Sequence, residues 1–87
     1  MERWRFLVLS EDDGSPKQIR MTLRSGDDEA SWPTLQVALD GTEVAVDEVD
    51  KDYEAPEWKA LQLFTGGGGS EARWEELKNS LRSQVVS

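Results

Sequence analysis

The sequence predicts an α+β domain: a small antiparallel β-sheet or partly open barrel of about five strands, made of two hairpins, with one C-terminal amphipathic helix packed on it. Three observations predict it. Residues 3–24 hold two alternating runs about a Gly/Pro turn. Residues 35–46 hold two more about Asp40-Gly41. Residues 71–85 carry an apolar stripe at helical spacing.

In the first run, Trp4, Phe6 and Val8 share one face. Glu11-Asp12-Asp13-Gly14-Ser15-Pro16 reads as a turn. From Lys17 to Arg24, Ile19, Met21 and Leu23 alternate with Gln18, Arg20 and Thr22. Pairing Trp4 with Leu23, Phe6 with Met21 and Val8 with Ile19 gives one continuous apolar face. The same register sets Arg3 opposite Arg24. Like charges facing across a sheet are mildly destabilising, so an anion is expected beside them, an intramolecular carboxylate before a partner's.

Ser25 to Pro33 is a polar connection. Trp32, held extended by the proline after it, is expected as a lid on the core. Asp40-Gly41 then predicts a two-residue type I′ turn. That turn pairs Leu39 with Thr42, Val37 with Val44 and Leu35 with Val46, all six on one face.

Asp47 to Glu54 is acidic, broken by Val49, Lys51 and Tyr53, and is expected as a solvated edge or loop. Asp50, Asp52 and Glu54 alternate like the start of a calcium loop. The glycine and final carboxylate of such a loop would fall on Ala55 and Leu61, so no metal site is expected. Pro56 to Phe64 reads two ways. Pro56 suits the opening of a helical turn, and 60–65 alternates like a strand. The expectation is a short turn at 56–59 and a last strand at 60–65.

The run Thr65-Gly66-Gly67-Gly68-Gly69-Ser70 favours flexible coil, because glycine loses the most backbone entropy on ordering. It resembles the Gly-Gly-Gly-Gly-Ser unit used to join two chains. The expected organisation is therefore an acidic β-rich binding domain (1–65), a flexible linker (66–70) and an amphipathic helical peptide (71–87). Ser70 is a good N-cap. Trp74, Leu77, Leu81 and Val85 form one narrow stripe. Glu71, Glu75 and Glu76 lie early and Lys78 and Arg82 late, as the helix dipole favours. Isolated helices of about 12–15 residues are marginal in water, so this one needs a surface.

The 87 residues contain no Cys and no His. Thiolate and imidazole metal ligands, histidine relays and cysteine nucleophiles are thereby excluded. The glycines lack the Lys-Ser/Thr ending that grips phosphate. No catalytic constellation is found, and the expectation is a non-enzymatic protein without cofactor or metal. The net charge is −8, from 18 acids and 10 bases. Residues 26–65 hold eleven of those acids against Lys51 and Lys59. Such a charge repels nucleic acid and anionic membranes, and neither is expected as a partner. No apolar run approaches the roughly 20 residues of a membrane span, and with no basic start followed by an apolar block a signal peptide is not expected. A soluble, cytoplasmic protein is expected.

The function expected is a protein–protein interaction module that takes a short amphipathic helix of a partner, here fused through the glycines. Trp74, Leu77, Leu81 and Val85 are the peptide-side anchors. Trp4, Phe6, Met21, Trp58, Leu61 and Phe64 are the domain side. The tail docks on its own domain or exchanges onto a second copy in a domain-swapped dimer. Two alternatives stand beside this. The chain is a single natural α+β domain with a structural C-terminal helix. Or it is an acidic inhibitor, a DNA mimic aimed at a basic protein.

Overall fold

Period-two alternation on both sides of a Gly/Pro turn closes the first hairpin. In the computed structural model, which describes residues 2–47 and 52–85, strand β1 (Trp4–Ser10) pairs with β2 (Pro16–Leu23). The expected register holds: Trp4 faces Leu23, Phe6 faces Met21 and Val8 faces Ile19. Arg24 donates its backbone N–H to the Arg3 carbonyl at 2.8 Å, so the two arginines do sit opposite. The anion beside Arg24 is intramolecular. Glu54 lies 3.4 Å from Arg24 Nη2 and 4.0 Å from Arg5 Nε.

β3 (Thr34–Ala38) pairs with β2, β4 (Glu43–Val44) with β3, and β5 (Asp52–Ala55) with the far side of β1. The result is an open antiparallel sheet in the order β4-β3-β2-β1-β5. A 3₁₀ turn (Glu29–Ser31), capped by Asp28, links β2 to β3. α1 (Glu57–Gly66) and α2 (Glu71–Gln84) follow β5. Both helices share a core with the face of the sheet that carries Phe6, Ile19, Met21, Leu23, Leu35 and Val37.

Three expectations are corrected. The β3–β4 hairpin is displaced by one residue: Gln36 faces Val44 and Val37 faces Glu43. Ala38 N–H donates to Thr42 O at 2.8 Å and Gly41 N–H to Ala38 O at 3.0 Å. With Gly41 at φ 92°, this is a three-residue loop of type I turn plus bulge rather than a two-residue turn. A one-residue slip sends side chains to the other face. Val44 and Val46 therefore leave the core face, and Val46 is 54% exposed. In exchange, Leu39 packs against the core from the loop.

The second correction concerns 60–65, which is helix and not strand. Ala60 and Phe64, four residues apart, fall on one helical face and are fully buried. The fifth strand lies instead in the acidic run, at the sheet edge, where Asp52, Tyr53 and Glu54 are exposed and Ala55 is buried. Val49, Asp50 and Lys51 lie outside the described residues. Third, Trp32 is no lid on this core. Its indole is half-buried on the opposite face of the sheet, beside Arg5, Leu7 and Arg20, and donates its N–H to the Gly26 carbonyl at 3.1 Å.

Residues 66–69 fold as a tight corner between the helices. Gly68 has φ 108°. Gly69 N–H points at two carbonyls, Leu39 O at 3.1 Å and Phe64 O at 3.0 Å. A Cβ on Gly69 would lie 2.6 Å from Phe64 Cζ and closer still to Cε2. A Cβ on Gly67 would collide with Leu39, whose carbonyl oxygen would be 3.2 Å away. Around Gly66 the space is open.

These glycines can be separated by mutation. Gly66→Ala is expected to leave stability unchanged or raise it by up to about 1 kcal/mol, as alanine does inside a helix. Gly69→Ala is expected to cost about 1–3 kcal/mol or more, because the buried Phe64 ring has nowhere to go. Urea denaturation of both variants checks this.

Candidate interaction surface

The groove between sheet and α1 is occupied by α2. Ser70 Oγ caps it, accepting the Arg73 N–H at 3.1 Å. Trp74, Leu77 and Leu81 are buried and Val85 is partly buried against the core. Trp74 stacks on Phe6 at 5.4 Å and meets the Phe64 ring edge-on at 5.1 Å. Of the domain-side residues, Phe6, Met21 and Phe64 are buried, and Trp4 and Leu61 are half-buried beside them. Trp58 is not brought to this groove. It is 67% exposed, because on a helix it lies about 200° round from Ala60, which faces the core.

Among the described residues, two ion pairs tie α2 to the rest of the fold, and neither was visible as a motif. Glu57 Oε2 accepts from Trp74 Nε1 and from Lys78 Nζ, both at 2.9 Å. Burial pushes the Glu57 carboxyl up, but those two hydrogen bonds outweigh it and leave the group below its ordinary 4.5. Lys78, only 8% exposed, also stands 5.2 Å from the centre of the Trp4 ring. Further along α2, the Arg82 guanidinium lies 5.5 Å from the same ring and takes Glu2 in a two-point grip, with Nη2 to Oε1 at 2.8 Å. The Arg82 hydrogen bond holds Glu2 down to about 2. The one sequence signal for this was Lys78 and Arg82 at i, i+4.

The opposite face of the sheet is sealed by a polar seam. Gln36 is completely buried there. Its Oε1 accepts from Arg20 Nε at 3.1 Å and Nη2 at 3.0 Å, and its Nε2 donates to Asp47 Oδ1 at 3.2 Å and to Gln18. Arg20 also donates to the Asp47 carbonyl. A cleft of about 270 Å³ beside it is lined by Arg5, Leu7, Trp32 and Val46. Arg20 in its wall is spent on Gln36 and Asp47, Arg5 Nη1 lies 3.6 Å from Glu29, and Arg5 Nε is buried without a hydrogen-bond partner.

A different character marks the corner where β5 runs into α1. Tyr53 is 46% and Trp58 67% exposed. Between strand and helix lies a cleft of about 560 Å³, floored by Trp4 and Phe6 and rimmed by Glu54 and Glu57. Among the described residues, β5 has β1 as its only strand neighbour, so its outer edge is unpaired. No protein-family model, curated protein or solved structure matches the chain. Among the described residues, no cluster of three metal-ligating side chains occurs, and no helix is long and apolar enough to cross a membrane.

The two carboxylates give the fold a defined acid response. Both have folded-state values below the ordinary 4.5, so their pairs stabilise fully above that pH. The contribution is lost as pH falls through the folded values, towards about 2 for Glu2. Urea unfolding between pH 6 and pH 2 should show that loss. Glu57→Gln should cost about 1–2 kcal/mol at neutral pH, discounted for partial exposure, and flatten the slope. The exposed Glu76→Gln should do neither.

Proposed function

We propose that this chain is a non-enzymatic protein-interaction domain. Its own C-terminal helix completes its core, and its β5–α1 corner takes a basic segment of a partner protein. The observation that carries the reading is the exposure of two large aromatics, Tyr53 on β5 and Trp58 on α1, on the two elements that flank the cleft. Exposed aromatics of this kind are frequent anchors of binding energy. Asp52 beside Tyr53, on a chain of net charge −8, favours a cationic partner and speeds its encounter, while Glu54 and Glu57 are engaged by Arg24 and Lys78 within the fold.

The close approach of Gly67 to Leu39 and of Gly69 to Phe64 supports α2 as a resident element. The tethered-guest reading, in which 71–87 is a partner's helix on a glycine leash, rests on the same buried stripe but makes no demand on those glycines. The acidic-inhibitor reading shares the basic-partner chemistry proposed here. A cysteine-free chain suits a reducing compartment, and we place the domain in the cytoplasm.

Titration with an octalysine peptide, followed by tryptophan fluorescence, tests the reading. Binding should weaken about tenfold or more between 50 and 300 mM salt. Trp58→Ala should reduce affinity about fivefold to a hundredfold, the range of an interface anchor. Unchanged affinity in Trp58→Ala contradicts the reading.

A further inference from the structure

We infer that β5 is the template for strand addition by an extended partner segment in which basic and apolar residues alternate. This rests on the basic-partner reading of the β5–α1 corner and specifies its geometry. The outer edge of β5 presents backbone donors and acceptors that no described strand pairs. Unpaired edges recruit further strands, and main-chain hydrogen bonds then supply affinity while alternate side chains supply specificity.

The parity of β5 sets the pattern. Tyr53 and Ala55 face Val8 and Phe6 in the β1–β5 ladder and share the helix side of the sheet. Asp52 and Glu54 face Leu9 and Leu7 and share the other side. An added strand projects its own side chains alternately to these two sides. One set meets Tyr53, with Trp58 just beyond in the first turn of α1. The other meets Asp52 and Glu54. Apolar residues suit the first set and Lys or Arg the second.

The track does not stop at β5. The β1–β5 ladder ends at Phe6 and Ala55, where Pro56 turns the chain into α1. Among the described residues, Trp4 and Arg5 keep β2 as their one strand partner. The cleft floored by Trp4 and Phe6 and rimmed by Glu54 and Glu57 lies beside this vacated length of β1. A second copy of this chain does not fit the edge, because β5 against β5 would oppose acids to acids.

The test uses an acetylated, amidated heptapeptide, Lys-Val-Lys-Val-Lys-Val-Lys, and its block isomer with four Lys followed by three Val. The alternating peptide should bind at least tenfold tighter than the block isomer. Backbone N-methylation should weaken it at least tenfold when placed on one alternate set of residues, and little when placed on the other. In hydrogen exchange, alternate amides within 52–55 should gain protection on binding. Asp52→Lys should lower affinity for the alternating Lys peptide and raise it for an alternating Glu-Val analogue. Equal binding of both isomers, or indifference to both methylation patterns, overturns strand addition. If Trp58→Ala still weakens octalysine in that case, the corner remains the partner site. If no basic peptide binds, both fall.

Discussion

Trp74 of α2 lies on Phe6 of β1 at 5.4 Å and against the edge of Phe64 of α1 at 5.1 Å, so one indole joins both helices to the sheet. A large aromatic at such a junction supplies much of a small core's apolar burial. Its polar end is satisfied as well, because the indole N–H goes to Glu57. Glu57 in turn accepts from Lys78, which frees that buried ammonium to lie near the Trp4 ring. The position of α2 therefore depends on a carboxylate at the first turn of α1. This couples the two helices to each other.

That arrangement constrains the corner between them. With Trp74 and Phe64 in edge contact, α2 must start close beside the end of α1. Backbone fills the space where a side chain would otherwise sit. Gly69 passes across the Phe64 ring with its N–H shared by Leu39 and Phe64 carbonyls, and Gly67 passes against Leu39. Composition gives the same four glycines the look of a linker, while geometry separates them: Gly67 and Gly69 are required by close approach, Gly68 by its φ of 108°, and Gly66 by neither. The corner also explains the register of the β3–β4 hairpin. Leu39 is the residue that meets the glycines, and the three-residue loop is what turns it inward.

The parts of the fold legible in the sequence are those decided locally. The β1–β2 register follows from two matched alternations and one turn, and no distant contact competes with it. The Ser70 cap and the Trp74–Leu77–Leu81 stripe follow from helical spacing. The rest was settled by tertiary contacts. Asp40-Gly41 suits a two-residue or a three-residue loop, and the choice was made by Leu39 docking on residues far along the chain. Residues 60–64 are apolar at both parities, so period two and period 3.6 fit equally, and burial of Ala60 with Phe64 decided for helix. Trp58 shows the same dependence. Its place outside the groove follows only once the segment is helical. The Glu57–Trp74–Lys78 cluster joins residues about 20 apart that no spacing rule connects.

The central claim is that α2 and its glycine corner belong to the core. Amide hydrogen exchange at Gly69 tests it most directly. Its N–H, held between the Leu39 and Phe64 carbonyls, should exchange only through global unfolding, as slowly as the amides of β2 at the sheet centre. Exchange at Gly69 near the rate of an unstructured peptide, while β2 stays protected, would contradict the claim.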